Sequence, residues 1–128
     1  MEKTTQLSVA LENKPGQLGR MCRVLAQADV NIRAISISDA ADISAVRLCV
    51  SNPAAAKRAL RESGLPFVIQ EVVMVEVPDK PGALEDVAVR LGEAGVNINY
   101  IYSAGGVGDK AVLVLGVDDV AVAGQTLR

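Results

Sequence analysis

The chain has 128 residues, half of them apolar, with a formal net charge of −2 and no histidine. That length suits one ordinary domain or two very small ones. One Phe, two Tyr and no Trp leave no aromatic platform for stacking single-stranded nucleic acid, and no basic cluster larger than Lys57 with Arg58 invites a phosphate backbone.

The missing histidine removes the commonest general base and the commonest metal ligand. No Cys/His cluster exists for zinc. No catalytic group, metal or cofactor is therefore expected, and the chain is not read as an enzyme. Cys22 and Cys49 are expected to be small, reduced side chains inside the fold. Residues 1–6 show no signal peptide, and no apolar run approaches the ~20 residues of a membrane span. A soluble, cytoplasmic protein is expected, with neither nucleic acid nor membrane as partner.

In chain order, an alternating strand comes first, with Leu7, Val9 and Leu11 on one face. It ends in a corner, Asn13-Lys14-Pro15-Gly16, where proline fixes φ and glycine permits a backbone shape or a close approach that a Cβ would block. A helix follows with Leu18, Met21, Cys22 and Leu25 at i, i+3, i+4 and i+7, the stripe of a helix packed on a sheet. It ends near Asp29. A second strand starts at Val30-Asn31-Ile32 and runs to about Ser38, residues 39–42 make a hairpin turn, and a third strand covers Ile43 to Val50. A second helix opens with Asn52 as N-cap and Pro53 at its first position, and Gly64 closes it. A fourth strand starts near Pro66.

The pattern then repeats. Lys80-Pro81-Gly82 lies 66 residues after Lys14-Pro15-Gly16, and from Lys14 to Ile35 ten of 22 positions are identical at that offset without a gap. Chance at average composition gives about one or two, so the repeat is real. Val73, Val75 and Val77 form the second first strand. Leu84, Val87, Ala88 and Leu91 form the second helix stripe. Val96-Asn97-Ile98 opens the next strand, residues 104–109 turn, and Lys110 to Val117 form the last strand. The matching cap falls on Asp118 at this offset. Residues 67–77 carry no turn signal, so strand four of the first copy and strand one of the second should run on as one long strand, with at most a slight bulge.

Each copy thus reads as β-α-β-β-α-β. The expected fold is α+β: two tandem ferredoxin-like units over residues 1–71 and 72–128, with antiparallel sheets and the helices on one face. The second unit lacks its last strand. A continuation of the chain or a strand from elsewhere would have to fill that place, and an unfilled edge would invite a dimer.

The corner presents backbone N–H groups at a helix start, which attracts carboxylates. Asn31 and Asn97 at the helix exits offer both donor and acceptor, which suits a ligand bearing ammonium and carboxylate. Taken alone, each Lys-Pro-Gly reads as a tight turn and each Asn as a turn residue. The glycines at 105, 106 and 108 lie between strands and read as a hairpin loop. Glu85 and Asp86 read as a solvated helix face.

Together, Asn13-Lys14-Pro15-Gly16-Gln17-Leu18 with Val30-Asn31-Ile32, and Asp79-Lys80-Pro81-Gly82-Ala83-Leu84 with Val96-Asn97-Ile98, resemble two tandem ACT domains. The resemblance implies a non-enzymatic regulatory module that binds a small amino acid where two such domains meet. The loop after strand one would come from one domain and the helix-one exit from its neighbour. It thereby implies ligand-binding roles for Asn13, Pro15, Gly16, Leu18, Asp79, Pro81, Gly82 and Leu84 at the loops, and for Val30, Asn31, Ile32, Val96, Asn97 and Ile98 at the exits. Asp79 departs from the amide of the first copy. Its carboxylate suits a ligand ammonium but opposes a ligand carboxylate, so the two sites are expected to differ in affinity, or only one of them to bind. The partner is expected to be a second copy in a homodimer, or a metabolic enzyme. The alternative reading is a docking subunit of such an enzyme that takes no small ligand.

Overall fold

The structure is a computed structural model and describes residues 1–38 and 41–128, so the middle of the first hairpin turn lies outside the described residues. Ten elements follow one another: β1 (Glu2–Glu12), α1 (Gln17–Gln27), β2 (Ile32–Ser38), β3 (Ile43–Val50), α2 (Pro53–Glu62), β4 (Phe67–Pro78), α3 (Ala83–Glu93), β5 (Ile98–Val107), β6 (Lys110–Val117) and α4 (Val120–Thr126). The elements repeat as β-α-β-β-α, as the sequence implies. The turnless stretch from Phe67 is one uninterrupted strand, β4.

The chain forms two compact units. One is Thr5–Gln70; the other is Glu71–Arg128 joined by Met1–Thr4. Both β1 and β4 are therefore divided, each giving a short piece to one unit and a longer piece to the other.

In the unit of residues 5–70 the strand order is β2-β3-β1-β4. β1 runs antiparallel to β3 with Leu7 opposite Leu48, Val9 opposite Val46 and Leu11 opposite Ser44. Those side chains form one face, and both helices cover it: Met21 and Leu25 from α1 and Ala56 and Leu60 from α2 join Leu7, Val9, Val46 and Leu48 in the core. The core is aliphatic, as the composition requires. Arg20 at the start of α1 donates to the Ser63 carbonyl at 2.7 Å, so a cation meets the negative C-terminal end of α2.

In the unit containing residues 71–128 the order is β1-β4-β6-β5. Val73, Val75 and Val77 pack with Val87 and Leu91 of α3 and with Ala123 and Leu127 at α4. Arg90 repeats the helix clamp one turn later than Arg20 does, donating to the Thr126 carbonyl at 2.6 Å. Met1–Thr4 supply the strand that the repeat itself omits. Met1 and Lys3 lie under α4, where a Cβ on Gly124 would come within 3.1 Å of the Met1 Cε and 3.3 Å of the Lys3 Cε. The strand from elsewhere is thus the start of this same chain.

Two local expectations need correction. The helix stripes are not core throughout. Met21, Leu25, Val87 and Leu91 are buried, but Leu18 is 39% and Leu84 49% exposed, and Ala88 faces outward. Leu18 and Leu84 stand in the first turn of their helices, at the margin of each core. The cap of α4 is Asp119, whose carboxylate accepts from the Val122 amide at 3.0 Å, as Asn52 accepts from Ala55 at 3.1 Å. Asp118 instead accepts from the Asn97 amide at 2.9 Å, the role of the Ser51 hydroxyl toward Asn31. The second hairpin is one residue longer, so the offset becomes 67 beyond it, from Ile43 matching Lys110 to Val50 matching Val117.

Candidate functional site

β1 and the later half of β4 each end in the same corner, bond for bond. Lys14 N–H donates to the Glu12 carbonyl at 2.9 Å and Lys80 N–H to the Pro78 carbonyl at 3.0 Å. Gln17 and Ala83 close onto the Lys14 and Lys80 carbonyls, both at 3.3 Å. The helix-opening carbonyls of Gly16 and Gly82 accept from Arg20 and Asp86, both at 3.0 Å. Gly16 has φ +89° and Gly82 φ +90°, a backbone region that a Cβ disfavours. Apart from the glycine and its two chain neighbours, no atom of the described residues lies within 4 Å of where their Cβ would sit. Glycine is thus set here by conformation, and the space in front of it is open.

The two kinds of helix start differ. α2 and α4 are each capped by a carboxamide or carboxylate, Asn52 and Asp119. The N-cap residues of α1 and α3 are Gly16 and Gly82, which have no side chain to cap with. A helix start without a capping side chain keeps its positive dipole end available to an outside anion.

A cleft adjoins each corner. The first, of about 180 Å³, is lined by Leu11, Asn13, Lys14, Leu18, Ile37, Ser44 and Val46 with Glu12. The second, of about 340 Å³, is lined by Val77, Pro78, Lys80, Pro81, Gly82, Ala83 and Asp86. Of the residues expected at the loops, Asn13 and Leu18 line the first cleft and Pro81 and Gly82 the second. Asn13 also anchors the corner: its backbone N–H donates to the Asp42 carbonyl at 2.8 Å and its Nδ2 to the Ala41 carbonyl at 3.4 Å. Asp79 makes the same backbone bond, to Asp109 at 2.8 Å.

The corners carry different charges. α1 has no acidic residue in its first turn, whereas α3 has Glu85 and Asp86. With Asp79, three carboxylate residues fall within residues 79–86 around the second corner. Asp86 stands where the first copy has Arg20, and its carboxylate is 3.6 Å from Arg90. In the first corner Lys14 pairs with Glu12 at 2.8 Å, both side chains well exposed. That hydrogen bond and the attraction between the charges hold Glu12 below the usual glutamate range and Lys14 above the usual lysine range. Pro78 occupies the position of Glu12 in the second corner, so no such pair forms there. Lys14→Met should return the Glu12 carboxyl to its ordinary range, read by NMR titration. The pair's small stabilisation is present at neutral pH. It is lost as pH falls through the depressed Glu12 range, or rises through the elevated Lys14 range, and salt screens it.

The helix exits lie elsewhere in each unit. Glu12 pairs with Ile43 at the start of β3, while Ile32 pairs with Val50 at its end. In the other unit Pro78 pairs with Lys110 and Ile98 with Val117. An eight-residue strand spans about 24 Å, so corner and exit of one unit do not come together. Val30 and Val96 are buried, and Ile32 and Ile98 pack against the cores; their side chains hold the fold. Asn31 and Asn97 are exposed. Their backbones knit β2 to the end of β3, and β5 to the end of β6: Ser51 N–H donates to the Asn31 carbonyl at 2.9 Å and Asp118 N–H to the Asn97 carbonyl at 3.2 Å. The Asn97 Nδ2 donates to Asn99 at 2.9 Å.

Sequence reasoning missed Ser44, Ile37, Leu11 and Val46 as the walls of the first cleft. One signal was available. Positions 44, 46, 48 and 50 alternate inward, and a serine among Val46, Leu48 and Val50 breaks an otherwise apolar face. No cluster of three or more His, Cys, Asp or Glu able to hold a metal ion occurs among the described residues. No helix among them is long and apolar enough to cross a membrane.

Comparison with known proteins bears on the family and the fold. The profile of the ACT domain pair matches residues 2–126. Protein BT0572 from Bacteroides thetaiotaomicron is 34% identical, superposes with a TM-score of 0.92, and aligns over 98% of this chain and 86% of its own. The ligand-free regulatory subunit of aspartate kinase from Thermus thermophilus shares the fold at 13% identity, with a TM-score of 0.74 over 99% of this chain and 89% of that one. Aspartokinase III from E. coli, in complex with lysine and aspartate, shares it at 17% identity with a TM-score of 0.63, over 98% of this chain and 30% of that one. Among curated proteins no significant match was found. The chain belongs to the ACT domain pair family.

Proposed function

We propose that the chain is a non-catalytic regulatory module that binds a small amino acid and takes its carboxylate at the corner where α1 begins. One contrast carries this reading. Two of the four helices are capped by their own side chains, and the two that start at Gly16 and Gly82 are not. The first corner is favoured over the second because Asp79, Glu85 and Asp86 oppose an incoming carboxylate. The exit residues Asn31 and Asn97 complete the site from a second copy of the chain in a homodimer. The two free cysteines suit work in the cytoplasm, where thiols stay reduced. Ligand binding would act by favouring one association state over another.

A second reading keeps the module and drops the ligand: a subunit that docks on a metabolic enzyme. The likeness of fold to a regulatory subunit of aspartate kinase favours it.

Thermal unfolding against each of the twenty amino acids separates the two. A ligand at one hundred times its dissociation constant adds about 2.7 kcal/mol, a rise of several degrees for a chain of this size. A shift with one amino acid or a related few is expected. No shift with any would leave the docking subunit. Asn31→Ala and Asn97→Ala should each weaken binding with unfolding midpoints unchanged, since the backbones do the knitting. Unaltered affinity in the double variant would remove the helix exits from the site.

A further inference from the structure

We propose that the helix layer of the unit of residues 5–70 is a docking surface for an acidic amphipathic helix of a partner protein. This rests on the reading of the chain as a regulatory module, whose signal has to reach a second protein.

Packing α1 against α2 gathers charge that the sequence scatters. The largest basic cluster along the chain is Lys57 with Arg58. In the fold, Arg20 and Arg23 of α1 join Lys57, Arg58 and Arg61 of α2, and Glu62 is the one carboxylate on either helix. Arg20, Arg23, Arg58 and Arg61 are exposed and Lys57 is half-buried. None of the five forms an ion pair among the described residues. Arg20 donates to the Ser63 carbonyl, and Arg61 lies 5.5 Å from the centre of the Phe67 ring; neither contact cancels a charge. The fold itself does not demand this excess. α3 and α4 carry one cation, Arg90, and three carboxylates, Glu85, Asp86 and Glu93.

An apolar groove runs between the two basic helices. It encloses about 380 Å³, with Val24, Ala28, Ala55 and Ala59 along it and the exposed Arg58 and Glu62 beside them. Small side chains on α2 keep it open. Counted from the caps Asn52 and Asp119, Val122 and Thr126 of α4 stand where Ala55 and Ala59 do. Arg90 takes the place of Val24 and reaches the Thr126 carbonyl at 2.6 Å. Larger side chains thus stand between the helices of the other unit.

The combination selects the occupant. Apolar side chains at i, i+3, i+4 and i+7 of a helix enter such a groove, and carboxylates flanking them meet Arg23, Arg58 and Arg61. A basic helix would meet like charge. A nucleic-acid backbone would use the cations and gain nothing from the aliphatic groove. Phe67 is the only phenylalanine and lies against Arg61, so the surface has no stacking platform for bases.

The test is fluorescence anisotropy of the whole chain with labelled synthetic helices of about five turns. One carries Leu at i, i+3, i+4 and i+7 with Glu on the flanks. A second has the same composition in scrambled order, and a third has Lys for every Glu. The first should bind at least about tenfold more tightly than the others, and less tightly as salt rises. Arg23→Glu combined with Arg58→Glu should lower its affinity by about tenfold or more. Ala59→Leu, which fills the groove at unchanged charge, should lower it severalfold. Arg128→Glu, a like charge change off these helices, should leave it unaltered. Circular dichroism should match the wild type throughout, since Met21, Leu25, Ala56 and Leu60 anchor both helices in the core. Equal binding of the scrambled or the Lys helix would overturn the proposal, as would affinity that survives both sets of substitutions. Tighter binding of labelled duplex DNA would overturn it in favour of a phosphate backbone. Self-association that salt and the double arginine variant both abolish would overturn it in favour of a second copy. No amino acid is present in these titrations, so a thermal shift with an amino acid and failure of every helix would leave the ligand reading standing alone.

Discussion

Leu91→Ala should destabilise the protein by about 2–5 kcal/mol, and Leu25→Ala by a similar amount. Each leucine is fully buried, at the same turn of α3 and α1 respectively, and each seals one unit's core against the first strand of its repeat. Truncation removes three carbons and leaves a hole that a sheet and a second helix cannot both collapse into. A domain holds only about 5–15 kcal/mol in total, so either change takes a large share of it. Urea unfolding should show a lower midpoint at an unchanged slope. Leu84→Ala and Leu18→Ala are the internal controls. They lie on the same helices but on the exposed side of the corner, and should stay within about 0.5 kcal/mol. If the exposed pair proved as costly as the buried pair, the assignment of faces would be wrong.

Gly16→Val should have the largest effect on ligand binding, with no crowding of its Cβ. Its chain neighbours apart, nothing among the described residues lies within 4 Å of the new Cβ, so the cost is conformational. A β-branched residue at φ +89° meets its own backbone, a penalty of at least 1–2 kcal/mol. The chain escapes by turning φ negative, which swings the first-turn amides of α1 away from the corner. Amino-acid affinity is then expected to fall more than tenfold while most of the stability remains. Gly19→Ala calibrates the result. Gly19 lies inside α1, also with open space around it and without a positive φ, and alanine there should stabilise by roughly 0.5–1 kcal/mol. Equal behaviour of the two substitutions would mean that the left-handed corner is not what positions the amides.

Much of this fold is legible in the sequence because the chain states it twice. The recurrence of Lys-Pro-Gly and Val-Asn-Ile at one offset fixes the phase of both first helices, both second strands and the long β4. What escapes is of two kinds. Small differences between copies hide behind chemically equivalent residues. Asp118 and Asp119 are both good caps, so the extra residue in the second hairpin leaves no local mark. Associations between distant segments hide more completely. Glu2, Lys3 and Thr4 read as a polar lead-in to the first strand, and nothing in them names α4 or Gly124. The site divides in the same way. The corners are visible as motifs, but the cleft walls Ile37 and Ser44 come from the following two strands and meet Leu18 only after the sheet has formed.

Residues 1–4 leave the ribosome before residues 71–128 exist. The strand that completes the later unit is thus made before the rest of that unit and waits while about seventy to 120 further residues are added, several seconds or more at 5–20 residues per second. The earlier unit has all its own segments once Gln70 emerges and can close while synthesis continues. The later unit can close only by returning to residues 1–4. A fragment beginning at Glu71 would carry one corner, Lys80-Pro81-Gly82, on a sheet without its edge partner. Expression of the second repeat alone should therefore yield an aggregation-prone chain. Fusing a copy of residues 1–4 after Arg128 through a flexible linker is the direct way to restore that unit as a contiguous piece.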